Sequence, residues 1–306
     1  MHPAFSILLF STLSGAGYGV WLWLGLLQLA SVPLPRTASL IVLGLGFVLV
    51  SGGLMGSLLH LGQPQRAWRA FSQWRSSWLS REGVAAVLGF LPMLWLGAAL
   101  WFGYETRIAG LLLALMAAVT VLCTAMIYAS LKPIPAWQHP LVVPIYLLFS
   151  WLTGGLLLAA VFALAGSALG EMVGLGTLLL AMVLWRLKRQ TWRWIDMGRS
   201  PVTRQSALGL PGERDVRVFE RPHTEANYLN KEMGFVLARK HSRRLRVIAV
   251  AMFALIPALC ALPVWFLVQL QPAPWLAVAA ASALLGALVE RWLFFAEARH
   301  VVNLYY

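Results

Sequence analysis

Long apolar stretches separated by short polar ones set the pattern of this chain, and within the stretches apolar and polar positions do not alternate. Continuous apolar positions occupy roughly residues 6–30, 38–60, 82–103, 108–130, 140–163, 169–187, 246–269 and 274–296. Each run is close to the ~20 residues a helix needs to cross the hydrocarbon core of a bilayer. In hydrocarbon only helices and closed barrels satisfy every backbone polar group, and a barrel strand would alternate. The pattern therefore predicts an all-α, polytopic membrane protein: a bundle of about eight transmembrane helices in a single domain, residues 1–306. The boundary between the fifth and sixth runs rests only on the weak separator LAGSALGEMVGLG. The opening MHPAFSILLF has no basic start and its apolar run is too long for a signal peptide, so it reads as an uncleaved helix.

Composition agrees, with 60% hydrophobic and 11% charged residues, outside the range of soluble domains. Charge adds an orientation. Eight passages put both termini and the polar segments after the second, fourth and sixth runs on one face. Of the 24 Lys and Arg residues, all but Arg36 and Arg107 fall on that face, fifteen of them in residues 186–246. The positive-inside rule makes this basic face cytoplasmic, and the net charge of +13 becomes an orientation signal rather than a sign of nucleic-acid binding. Residues 188–245 are expected to form a basic cytoplasmic loop, too poor in apolar residues for a core of its own. Its last part, NYLNKEMGFVLARKHSRRLR, reads as an amphipathic helix leading into the seventh run. Such a loop suits lipid headgroups or a soluble partner equally.

Few ionisable residues lie within or at the edge of the apolar runs: His60, Glu82, His139, Glu290, Arg291, Glu297 and His300, all toward the basic face. Arg291 and the tail charges have a bland explanation in snorkelling to headgroups, and His139 one in a proline-rigidified loop. Glu82 at a helix start is also what the helix dipole favours. His60 and Glu82 carry a sharper reading, because the segment HLGQPQRAWRAFSQWRSSWLSREG returns the chain to the same face and places both at one interface. A quinone takes up two electrons with two protons, so its site needs apolar walls, donors to its carbonyls and a group that exchanges protons with water. Imidazole and carboxyl suit that task. Arg75, Trp78 and Arg81 are candidates for the pocket or its rim, and Trp68 and Trp74 for interfacial packing, which an aromatic belt would explain as well.

Other chemistries lack residues. The two cysteines, Cys123 and Cys260, read as buried apolar side chains and are too few for an iron–sulfur cluster. No histidine lies inside an apolar run to face another across a haem, and no phosphate-binding loop, zinc motif or serine triad stands out. If the chain handles electrons, a partner brings them.

In HLGQPQRAWRAFSQWRSSWLSREG, IYASLKPIPAWQHPLVVP, PHTEANYLNKEMGFVLARKHSRRLR and the tail ERWLFFAEARHVVNLYY the sequence resembles the eight-helix membrane anchors of dimethyl-sulfoxide-reductase-type molybdopterin oxidoreductases. The resemblance implies quinol binding by residues at the positions of His60 and Glu82, an iron–sulfur partner subunit, a catalytic partner carrying the molybdenum pterin, and no haem or cluster in this chain. It also implies a bacterial inner membrane location. Anchors of exported reductases turn this face to the periplasm. The charge distribution here turns it to the cytoplasm, with both termini, which looks more like the anchor of a cytoplasmic sulfite-oxidising enzyme. The expected function is then the quinone-reactive anchor of a sulfite dehydrogenase, reducing ubiquinone or menaquinone. Its alternatives are an anchor oxidising menaquinol for a dimethyl sulfoxide or related reductase and, more remotely, a small-solute transporter or a structural scaffold. A transporter would carry discontinuous helices and polar groups near the midplane, whereas these charges gather at one face.

Overall fold

The computed structural model describes residues 4–58, 62–198, 203–210, 216–217, 219–220, 237–266 and 271–301. His60, most of the segment PHTEANYLNKEMGFVLARKHSRRLR and the last five residues fall outside them. Among the described residues there is no strand.

Eight helices are long and apolar enough to span a membrane. They are α1 (Phe5–Leu29), α2 (Arg36–Leu58), α3 (Trp78–Phe102), α4 (Arg107–Ala129), α5 (Val142–Leu164), α6 (Leu169–Asp196), α7 and α8 (Pro272–Ala296). The seventh, α7, is built of Leu237–Val250, a π-helical turn Ala251–Leu255 and Ile256–Phe266. The weak separator between the fifth and sixth runs does break the chain, through Gly166 at φ +70°, a conformation glycine adopts without a side-chain penalty. The sixth run extends further than expected: α6 continues to Asp196, so Lys188 and Trp192, expected at the start of the basic loop, are helical and buried. His241, in the stretch expected to form an amphipathic helix leading into the seventh run, lies within α7 at an exposed position.

Two helices occupy the centre. In α1 and α5, 67% of the membrane-length window is buried inside the protein, against 33–50% in the other six. Sequence explains this through small residues. Gly19 and Gly154 bring the two backbones together so closely that a Cβ on Gly154 would collide with the carbonyl carbon of Gly19. Gly25 on α1 meets Gly110 on α4, and Gly17 and Gly53 bring α1 and α2 together in the same way. In a bilayer, where apolar burial separates helices from nothing more polar than lipid, such close approach is a main source of helix association. One core joins α1 to α5, and a second joins α5 to α8, so α5 serves both.

The π turn of α7 has a local cause. Pro257 has no N–H to donate back into the preceding turn, and the carbonyl of Met252 there accepts instead from Ser282 Oγ of α8 at 2.8 Å. Gly286 lets α8 approach that same turn.

At the basic face a short 3₁₀ segment, Pro64–Gln73, lies between α2 and α3 and buries none of its residues. It is fastened to the first turns of α3. Ser80 Oγ donates to the Ala70 carbonyl, and the Phe71 ring rests where a side chain on Gly83 would project.

Candidate functional site

Helix geometry sorts the predicted residues into two groups. Successive residues of a helix point about 100° apart, so Arg81 and Glu82, neighbours in sequence, face different surroundings. Ser77 caps α3, accepting from Ser80 N at 3.5 Å. Glu82 is therefore more than a full turn inside the helix, not at its threshold, and no acidic residue occupies the first turn. The dipole argument for a carboxylate at this position weakens accordingly.

Arg81 faces outward. Its Nε donates to the Trp74 carbonyl at 3.0 Å and its Nη2 to the Arg75 carbonyl at 2.7 Å. The same guanidinium stacks 4.2 Å from the centre of the Trp78 ring. The structure thus brings Arg75, Trp78 and Arg81 together as a clamp that closes the end of the 3₁₀ segment. Trp68 and Trp74 stay exposed at 66% and 53%, leaving an Arg and Trp surface open to headgroups or a partner.

Glu82 faces inward and is 5% exposed. Its carboxyl meets the Thr124 hydroxyl of α4, which also lies 3.0 Å from the Thr120 carbonyl one turn earlier. Among the described residues no Lys or Arg pairs with Glu82. Tyr18 of α1 and Cys123 of α4 are near enough to sense its charge. A single hydroxyl between two acceptors serves both proton states of the carboxyl: it donates to the carboxylate, or donates to Thr120 and accepts from the acid.

A second group lies deeper toward α8. Lys188 Nζ of α6 sits 2.5 Å from Glu290 Oε1. Arg291 Nη1 lies 3.7 Å from Glu290 Oε2. Arg291 does not snorkel. It is 3% exposed, and its guanidinium carbon is 3.5 Å from the centre of the Tyr146 ring. Nearer the face, Arg246 bridges Glu297 at 2.9 Å and Asp196 at 2.8 Å. Burial holds the Glu297 carboxyl above its ordinary value even though Arg246 and Lys188 pull it down. His139 packs edge-on against Trp194, ring centres 5.0 Å apart, and burial, with Lys188 second, lowers its pKa. His300 is half-buried beyond the end of α8. Among the described residues no three of His, Cys, Asp and Glu gather as a metal site needs, and both cysteines are buried and free.

Sequence reasoning did not single out Thr124, Tyr18, Tyr146 or Lys188. A signal for the first two was present: Ser11, Ser14 and Tyr18 recur on one face of α1, as Thr120 and Thr124 do on α4, within otherwise apolar runs.

A family model for the DMSO reductase anchor subunit (DmsC) matches residues 1–296. The chain belongs to this anchor family. Among curated relatives, a sulfite dehydrogenase subunit of Allochromatium vinosum is 32% identical over 331 aligned positions, spanning 100% of this chain and 99% of the relative. Family membership makes the chain a multi-pass membrane anchor of an oxidoreductase complex, with catalytic and iron–sulfur subunits as the implied partners. Lys188, Glu290 and Arg291 all fall within the part that the anchor family covers.

Proposed function

We propose that this anchor passes electrons between an iron–sulfur partner and membrane quinone at a pocket bordered by Glu82, with His60 contributing from the neighbouring chain segment. The observation that carries the reading is the placement of Glu82: a carboxyl buried within the membrane helices, unpaired by any described cation, yet held by a hydroxyl that suits both of its proton states. Ionisable groups so placed are costly and retained for function. The residue types support a quinone head group: a carboxyl that can exchange protons, apolar helix faces, and the Arg and Trp clamp at the start of the same helix. In quinone reduction the quinone gains two electrons from the partner and two protons, and Glu82 delivers protons to a carbonyl oxygen.

Sulfite oxidation is the favoured source of the electrons, since the full-length likeness to a protein of sulfite dehydrogenase joins the Lys/Arg bias that turns the partner-binding face to the cytoplasm. The family description supports a second reading, an anchor oxidising quinol for a reductase. A topology reporter fused after Tyr306 separates them in part, because a periplasmic terminus would remove the charge argument for the sulfite reading.

The decisive experiment replaces Glu82 in the whole complex. Glu82→Gln keeps the volume and the acceptor for Thr124 but removes proton exchange, so quinone turnover should fall about 100-fold, the usual scale of general acid–base catalysis. Partner activity with a soluble dye at the membrane should persist. His60→Ala should instead raise the apparent Michaelis constant for quinone. Full quinone turnover in both variants would sink the assignment, and loss of dye activity at the membrane would move both residues to the interface with the partners.

A further inference from the structure

The Thr12 hydroxyl is buried between α1, α4, α5 and α8 with no hydrogen-bond partner among the described residues. The hydroxyls of Tyr18 and Tyr146 and Nη1 of Arg291 are buried with it, and the single neighbours they have, Thr120 for Tyr18 and each other for Tyr146 and Arg291, leave hydrogen-bonding capacity open. They converge on a cavity of about 20 Å³, which Thr124 also lines. That volume is far too small for a quinone ring and suits a single water, which needs roughly 10–15 Å³ and two to four polar partners.

A second cavity of about 20 Å³ lies back to back with the first and shares only Tyr146 and Arg291 with it. Its other walls include Lys188, Trp137 and Glu297. Beyond them Arg246 joins Glu297 to Asp196, whose side chain is 59% exposed. At the inner end Thr124 links the first cavity to the Glu82 carboxyl. The partition between the cavities is the Arg291 guanidinium stacked on the Tyr146 ring, with Glu290 and Lys188 beside it.

We propose that the two cavities hold water and form the proton route between the basic face and Glu82, passing the partition made by Tyr146 and Arg291. The route rests on the quinone reading above and specifies it. For each quinone reduced, two electrons arrive from the iron–sulfur partner and two protons enter from water at the basic face, moving along water and the Tyr146 hydroxyl to Thr124 and Glu82. The Lys188, Glu290 and Arg291 cluster is then neither a stabilising device, for which a buried ion group is a poor choice, nor a headgroup anchor. It holds the partition polar inside the bundle.

The test uses the assembled complex in native membranes. Radiolytic hydroxyl-radical footprinting reads bound water directly, because a side chain shut off from bulk solvent is oxidised only when the radical forms from a water held against it; Tyr18 and Tyr146, both buried, should be labelled. Tyr146→Phe removes one hydroxyl while keeping the ring beneath Arg291. It should lower quinone turnover about 10-fold, within the scale of a proton-transfer step, and raise the solvent deuterium isotope effect, with quinone-site inhibitor affinity and dye activity unchanged. Glu290→Gln, where it assembles, should do the same. Absence of label at both tyrosines overturns the proposal, as does wild-type turnover and isotope effect in Tyr146→Phe while Glu82→Gln is impaired. Full turnover in Glu82→Gln would overturn the quinone reading and the route with it.

Discussion

The Thr124 hydroxyl on α4 stands between the Glu82 carboxyl on α3 and the Thr120 carbonyl of its own helix. The pair ties together two consecutive helices through side chains 42 positions apart in sequence, at a depth where Glu82 has no described cation to answer it. Thr124→Val keeps the shape and removes the hydroxyl, leaving a buried carboxyl without its partner. Quinone turnover should drop about 10-fold, and Thr124→Ser should restore most of it, since the loss of one hydrogen bond to a charged group is worth about 1.5–3 kcal/mol. Membrane assays with quinone and with dye, side by side, check this; equal activity in Val and Ser variants would show that the hydroxyl is dispensable.

Gly83 and Phe71 make the next prediction. A Cβ on Gly83 would lie 3.2 Å from Phe71 Cε1, so alanine requires only a small shift of the ring, whereas a branched side chain must push the 3₁₀ segment off α3. Arg66 and Arg69 are already exposed, so Gly83→Val should act by loosening the backbone around them, with trypsin cleavage in intact membranes accelerating several-fold over wild type and over Gly83→Ala. On the proposed quinone reading turnover should fall in step, because the segment is fastened to Ser80 and Gly83, which flank Glu82 on α3. Unchanged cleavage in Gly83→Val would mean that Phe71 does not hold the segment.

The eight spans were legible because hydrophobic length is a strong signal and the membrane imposes it. Of the proposed site, Glu82 and its polar neighbours were legible: Arg75, Trp78 and Arg81 stand with it in one short segment, where proximity follows from sequence. Thr124 left a trace in its spacing from Thr120, but Tyr146 and Lys188 come from other helices, and which face each of these turns inward is not written in the sequence. Arg291 shows the same limit in reverse: at the end of an apolar run it suits a headgroup, and only the Tyr146 ring and Glu290 draw it inward. Lys188 was assigned to a loop because charge density marks the end of a span in sequence, while the helix itself continues to Asp196 on the buried ring of Trp192.

The crossing of α1 and α5 sets a stability prediction. Gly154 packs backbone to backbone on Gly19, and neither side has a flexible side chain that can yield. Gly154→Val must separate the two central helices, costing on the order of the 1–3 kcal/mol typical of overpacking. Gly44 and Gly52 on α2 have open space where a Cβ would go, so alanine there should be neutral or slightly stabilising by the usual helix propensity. Thermal unfolding in mild detergent should rank Gly154→Val well below wild type and the two α2 variants at or above it. A Gly154→Val protein as stable as wild type would show that the close crossing is not required.

His139 gives a prediction in pH. Its ring packs on Trp194, and burial, reinforced by Lys188, holds its pKa below the ordinary imidazole value. The sign follows from proton counting: between the lowered folded pKa and the ordinary unfolded one, the unfolded chain binds the proton and the folded chain does not, so stability rises with pH. The contribution is fully present above the ordinary value, near pH 6.5, and is lost as pH falls through the lowered folded value. Glu297 acts oppositely, since burial raises its pKa; its stability contribution is present at low pH and is lost as pH rises through its raised folded value. The two groups must therefore be separated by substitution. His139→Gln keeps a polar group of similar reach without the titration, and its melting temperature should fall less than that of wild type between pH 7 and pH 5.5, whereas Glu297→Gln should leave that acid-side difference in place. Parallel melting curves for wild type and His139→Gln across this interval would show that His139 does not carry the acid sensitivity of the basic face.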